Sequence, residues 1–207
     1  MTIIVSILLI VPTAYWAHLR LPQVRPVLDF ITLMPFVIPA IILVFGLIKS
    51  YSRPLTVFGL PVVPPLTNSV FSTNILLICG YVVLCLPYMY RSVDNGLRAM
   101  DVRTLTEAAQ ILGAGWPTIL FSIILPNLRT ALLRGALLTF SIVVGELTLA
   151  TFLARPAFGP YLQLLGNHKA FEPFALSLIS FALTWAAMGI IQFVTRGSGQ
   201  GQVAVGH

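Results

Sequence analysis

Charge is scarce in this 207-residue chain: Asp, Glu, Lys and Arg together make up 9% of it. Soluble domains carry about a quarter, so a water-soluble globular fold is excluded. The low charge also excludes disorder, which needs high charge with low hydrophobicity. Lysine occurs only at Lys49 and Lys169. Neither closes a G-x-x-x-x-G-K-[ST] pattern, so the chain has no phosphate-binding loop, and ATP-driven work would need another chain. Cysteine occurs only at Cys79 and Cys85, within one apolar segment. A helix would hold them about 9 Å apart, beyond disulfide reach. His18, His168 and His207 lie in separate regions without metal-ligand spacing. No G-x-S-x-G nucleophile pattern occurs. The first residues carry no Lys or Arg, so the basic head of a signal peptide is missing. These absences predict no catalytic residue, no metal and no cofactor.

What is abundant is apolar sequence: 57% of residues are hydrophobic and the mean hydropathy is +0.95. A membrane-spanning helix takes about 20 such residues. Five stretches qualify, about 1–17, 31–50, 70–90, 131–153 and 174–195. They predict an all-α polytopic membrane protein. Residues 1–195 form the membrane domain, with a long polar loop at 91–126, and 196–207 (from Arg196 on) form a flexible tail. Residues 51–69, with Pro54, Pro61, Pro64 and Pro65, read as a loop.

Twelve basic residues stand against six acidic ones. No basic run with interleaved aromatics appears, so nucleic acid is excluded as the partner. The basic residues instead report orientation. Loops 18–30 and 91–130 and the tail carry Arg20, Arg25, Arg91, Arg98, Arg103, Arg129 and Arg196. The opposite side carries Lys49, Arg53, Arg155 and Lys169. The bias puts loop 91–130 in the cytoplasm.

That loop contains TLTEAAQILGAGWPTILFSIILP, residues 104–126. Thr104 and Glu107 have the spacing of a capping box. Leu105, Ala108, Ala109 and Leu112 recur at i, i+3, i+4 and i+7, one face of a short helix. Gly113 stops it as a glycine just past a C-cap does, and Pro117 suits the first turn of the next helix. Lipid-surface helices carry Lys or Arg on the polar face. None occurs between Thr104 and Pro126, and small side chains favour docking into a protein groove.

Inside the spans, Glu146 is the one carboxylate. It is a candidate for lining a solute path, or for a structural bond to another helix. Thr139 and Thr148 share its span as weaker path candidates. Gly46, Gly80, Gly135, Gly145 and Gly189 read as close-contact positions. Asn68, Ser69, Ser72 and Asn74 read as a helix start. Asp94 and Asp101 sit seven residues apart and would share a helix face. With Arg91, Arg98 and Arg103 around them they read as a solvated ionic face. A membrane enzyme using that pair with a metal is the alternative from another class. An ion-gradient transporter is a third reading, and it expects inverted repeats and several buried carboxylates.

The run Glu107-Ala108-Ala109, three residues, Gly113, nine residues, then Ile123, Leu125 and Pro126 resembles the loop motif of type I ABC importer permeases. The stretch VPTAYWAHLRLP…LDFITLMPFVIPAIILVFGL is similar to the branch that moves polyamines, ferric iron, phosphonates and thiamine. The resemblance implies an inner-membrane permease subunit with a coupling helix at about Thr104–Leu112. Its partners would be an ABC ATPase dimer that binds the ATP, a second permease subunit (homologue or self), an extracytoplasmic solute-binding protein and membrane lipid. Polyamine is the favoured solute. Many members of the family carry one more helix ahead of the first span found here.

Overall fold

A computed structural model describes residues 1–20, 22–57, 60–63, 65–169 and 171–199. The fold is helical. Its elements are α1 (Thr2–Arg20), α2 (Arg25–Val37), α3 (Ala40–Tyr51), α4 (Val70–Ala99), α5 (Val102–Ile111), α6 (Trp116–Asn127), α7 (Arg129–Gly145), α8 (Thr148–Phe152), α9 (Phe158–His168) and α10 (Glu172–Gly199). Within the expected 51–69 loop lies a small hairpin, β1 (Leu55–Val57) antiparallel to β2 (Leu60–Val63).

The five apolar stretches meet the structure unequally. α1 and α4 are single helices long and apolar enough to cross a membrane. The second stretch is two helices, α2 and α3, bent by 99°. Ile38 is extended (φ −89°, ψ 114°) because it precedes Pro39, which disfavours helical geometry in its neighbour and lacks an N–H. The fourth stretch is broken at both ends. α6 and α7 meet at 74°, and α7 stops at Gly145 where the sequence predicts helix to 153. α10 runs to Gly199, four residues into the expected tail. Residues 200–207, His207 among them, lie outside the described residues.

α4 is the axis. Leu76, Leu77, Gly80, Tyr81, Cys85, Met89, Tyr90, Val93 and Leu97 are buried on it at helical spacing. α1, α2 and α7 pack around it. Close approach needs small residues. A Cβ on Gly135 would lie 2.6 Å from Met89 Sδ, and one on Gly96 would lie 2.7 Å from Ala131 Cβ. Gly80 abuts Leu149. Gly46, Gly145 and Gly189, expected at contacts, have open space within this chain instead.

Two apolar clusters result. One joins α1, the lower half of α4, α5 and α6 through Val11, Tyr15, Met89, Val93, Ala109 and Ile124. The other joins α3, the upper half of α4 and α8 through Val44, Leu76, Tyr81 and Leu149. Much of the remaining apolar surface is exposed, including Phe30, Phe45, Phe71, Phe181 and Trp185. Such a surface is natural where the solvent is lipid.

Candidate functional site: the α5 corner and the Glu146 break

α5 begins three residues earlier than the capping-box spacing predicts, and its cap differs. Asp101, not Thr104, is the N-cap. Its Oδ1 accepts the Thr104 N–H at 3.2 Å and its Oδ2 accepts the Thr104 hydroxyl at 2.6 Å. These bonds favour the ionised form and hold the Asp101 carboxyl below the usual carboxylate range. The cap therefore works above the ordinary Asp pKa and is lost as pH falls through the lowered one. Glu107 does not reach back to close a capping box; it pairs with Arg103 at 2.9 Å.

The C-terminal end agrees with the glycine. Gly113 has φ +81°. Its N–H donates to Gln110 O at 2.9 Å, and the Ala114 N–H donates to Ala109 O at 3.0 Å. That pair of bonds is the Schellman closure. α6 follows, with Pro117 in its first turn. Its Ile119–Ile124 segment winds as a π-helix, a widening that recurs at functional sites.

The predicted face Leu105, Ala108, Ala109, Leu112 is divided by the fold. Val102, Thr106 and Ala109 are buried against the chain itself, and Leu105 is half-buried. Ala109 falls on the inward stripe Val102, Thr106, Ala109, at i, i+4 and i+7. The free side is Glu107, Ala108, Ile111, Leu112 and Gly113. Ile111 and Leu112 are each 86% exposed.

Beside this corner is an ionic cluster that sequence reasoning missed. Asp94 does not share a face with Asp101, because α4 ends at Ala99 between them. Asp94 is buried, not solvated. Its Oδ1 lies 2.7 Å from His18 Nε2, and its Oδ2 accepts from Arg98 Nε at 2.7 Å. Arg98 reaches Asp29 at 3.8 Å, and Arg25 contacts His18. Both Asp94 oxygens are thus occupied, one by the hydrogen bond to His18 and one by the ion pair to Arg98. Among the described residues no three His, Cys, Asp or Glu side chains gather as metal ligands. The missed signal was periodicity: Asp94 continues the Tyr90, Val93, Leu97 stripe and so had to point inward.

Glu146 sits in the break, not inside a helix. Its backbone is extended (φ −83°, ψ 123°). Its Oε1 accepts the Thr148 N–H at 2.7 Å, and its Oε2 accepts the Leu149 N–H at 2.9 Å. It therefore caps α8, a structural bond to backbone and not to another helix. Thr148 is half-buried in that cap. Thr139 is fully buried between α7 and α4, its carbonyl facing Cys85 Sγ at 3.8 Å, so it lines no open surface. Ser69 occupies the N-cap of α4 but makes no side-chain cap. Near the break a cavity of about 400 Å³ lies between α7, α9 and α10, with Ser141, Phe158, Ser180, Thr184 and Trp185 in its wall.

Comparison with known proteins agrees on one class. Residues 6–197 match the family described as binding-protein-dependent transport system inner membrane component. The chain is 32% identical over 124 residues to the spermidine/putrescine transport system permease protein PotC of Haemophilus influenzae, covering 58% of this chain and 48% of that protein. It is 28% identical over 204 residues to PotB of the same organism and system, covering 92% of this chain and 68% of that protein. It is 30% identical over 117 residues to the putrescine transport system permease protein PotI of Escherichia coli, covering 56% of this chain and 41% of that protein. The chain thus spans about half the length of the first of these relatives.

Proposed function

The chain belongs to the family of binding-protein-dependent transport system inner membrane components, and from that premise we propose that it is the permease subunit of an ABC importer carrying a polyamine. It works with a second permease subunit, two copies of a separate ATPase that bind the ATP, and an extracytoplasmic solute-binding protein. The chain itself holds no cofactor. The 91–126 loop is cytoplasmic.

The observation that carries this reading is the outward face of α5. Two large apolar side chains, Ile111 and Leu112, stand almost fully exposed at the tip of a helix fixed at both ends. Beside them Ala108 leaves room for close approach. The one basic residue of α5, Arg103, is paired with Glu107 at 2.9 Å, and no Lys or Arg follows before Pro126 to draw this face onto lipid headgroups. A rigid, small-chained helix with an apolar tip fits a groove in a partner. Seated there, it passes the partner's movement to the spans, and rocking of helix bundles gives alternating access.

The polyamine assignment rests on the names of the relatives and on the cavity beside the break. Its wall carries Phe158, Trp185, Ser141 and Thr184, and aromatic faces with hydroxyls suit an ammonium chain.

The test is co-purification of the Leu112→Arg variant with the ATPase, beside spermidine and putrescine uptake by the wild-type complex in proteoliposomes. We expect Leu112→Arg to insert normally and lose the ATPase, since an unpaired charge is costly to desolvate. Normal assembly and transport by that variant overturns the docking assignment. Transport of ferric iron or a phosphonate in place of both amines overturns the solute.

A further inference from the structure

We propose that Tyr15 is a positioning residue for transport: its hydroxyl fixes the docking helix to the first span, so that α1, α4 and α5 swing as one body. The inference rests on the reading of α5 as the docking helix and adds the route by which its movement reaches the membrane.

Tyr15 is 0% exposed and lies on α1, 91 residues from Thr106 on α5. Its hydroxyl oxygen is 3.0 Å from Thr106 Oγ1. The Thr106 hydroxyl is already spent as a donor, giving its proton to Val102 O at 2.7 Å. Tyr15 therefore donates and Thr106 accepts. The bond sits on the inward side of α5, flanked by the buried Val102 and Ala109. It lies opposite the free Ala108 and Leu112.

Apolar contact alone is non-directional. It would hold a ten-residue helix against α1 and still let it roll. A directed hydrogen bond in a dry site removes that freedom, because its strength falls steeply with misalignment. The same face of α1 carries the next link. His18 follows Tyr15 by three residues and so lies beneath it on the helix. Its Nε2 is 2.7 Å from Asp94 Oδ1 on α4. Asp94 is in turn held by Arg98 at 2.7 Å. A push on Leu112 thus reaches the axial helix through two directional bonds, Thr106 to Tyr15 and His18 to Asp94, joined by one turn of the α1 backbone. Both bonds lie on the α1–α4–α5 side of the molecule.

The experiment uses the complete complex in proteoliposomes and reads solute imported per ATP hydrolysed. Tyr15→Phe removes one hydroxyl and little volume. We expect it to leave complex yield and ATP hydrolysis near wild type and to lower the import-to-hydrolysis ratio about three- to tenfold, the scale of one buried hydrogen bond. Thr106→Val should do the same, and the double variant should be no worse than the worse single. Thr106→Ser, which keeps the hydroxyl, should keep the ratio. An unchanged ratio in Tyr15→Phe overturns the proposal. So does a proportional fall of import and hydrolysis together, which a merely structural role would give. Leu112→Arg is run in the same preparation. If it retains the ATPase, the docking reading itself fails. If it releases the ATPase while Tyr15→Phe keeps the ratio, only the positioning role fails.

Discussion

Two helix ends in this chain close with the same pair of hydrogen bonds and differ at the turn by one methyl group. At the end of α5, Gly113 and Ala114 donate to Gln110 O and Ala109 O at 2.9 and 3.0 Å. At the end of α8, Ala154 and Arg155 donate to Thr151 O and Ala150 O at 3.0 and 2.9 Å. The turning residue has φ +81° at Gly113 and +51° at Ala154. Glycine enters that region freely, and alanine does so against its own Cβ. The surroundings differ as well. Nothing lies within 4 Å of a Cβ added at Gly113, and the helix before it presents its tip outward. α8 is only five residues long and is held from outside, by the Glu146 carboxylate at one end and by α9 packed against the break. One corner is set by local sequence and left exposed. The other is imposed by its neighbours.

If that contrast is right, removing the outside supports should hurt α8 most. Glu146→Ala leaves the Thr148 and Leu149 N–H groups without their acceptor, and Leu149 is fully buried. We expect a loss of about 2–4 kcal/mol, read as a fall in the thermal midpoint of the purified protein. Glu146→Gln keeps an acceptor oxygen and should lose less than half as much. Wild-type stability in Glu146→Ala would mean that the break needs no cap.

The next support is Gly159 at the start of α9. A Cβ there would lie 2.8 Å from Glu146 O and 3.1 Å from Leu147 Cα, both backbone atoms that cannot swing aside. Gly159→Ala should cost about 1–3 kcal/mol and reduce uptake by distorting the capped turn. Gly166→Ala on the same helix, where the nearest atom is 3.9 Å away, is the control. Equal behaviour of the two would show that α9 does not brace the break.

What the sequence revealed follows the same division. The α5 corner was legible because its determinants are local: a glycine after a short amphipathic run, a proline opening the next helix, and a motif confined to twenty residues. Its cap was misplaced by one turn, since Asp101 and Thr104 are both good N-caps and only the fold decides between them. The free face differs from the one read from spacing because packing of Val102, Thr106 and Ala109 against the rest of the chain decides which stripe turns inward. The α1 and α4 spans were legible from unbroken hydropathy. The break at Pro39 could be read from the proline, which can mark a hinge or a discontinuous helix. The break at Glu146 could not, because an apolar run looks the same whether straight or bent. The inward direction of Asp94 was legible from its stripe, but its partner His18, 76 residues away, was not. Gly96 and Gly159 were passed over because their close neighbours come from other helices.

At Gly113 itself the expected effect is smaller. With open space around it, Gly113→Ala meets only the backbone strain of positive φ, about 1 kcal/mol. Faster hydrogen exchange at the Ala114 amide, whose bond to Ala109 O closes the turn, would report it. Unchanged exchange would mean that the turn does not depend on glycine.

The mirror substitution is the smallest in size and the sharpest test of the comparison. Ala154→Gly removes the one Cβ that sits in the left-handed region among the described residues. Relief of that strain is about 1–2 kcal/mol, and glycine gives back about 0.5–1 kcal/mol through the greater freedom of the unfolded chain. The net gain should be about 0.5 kcal/mol, a rise in the thermal midpoint opposite in sign to the fall in Gly113→Ala. The two substitutions exchange the same pair of residues at the same hydrogen-bonded turn, so propensity differences elsewhere in the helix do not enter. Opposite signs would show that the α8 corner carries strain held in place by Glu146 and α9. A loss in Ala154→Gly would show instead that its methyl packs to advantage. The corner would then be as locally determined as α5, and the contrast between the two ends would fail.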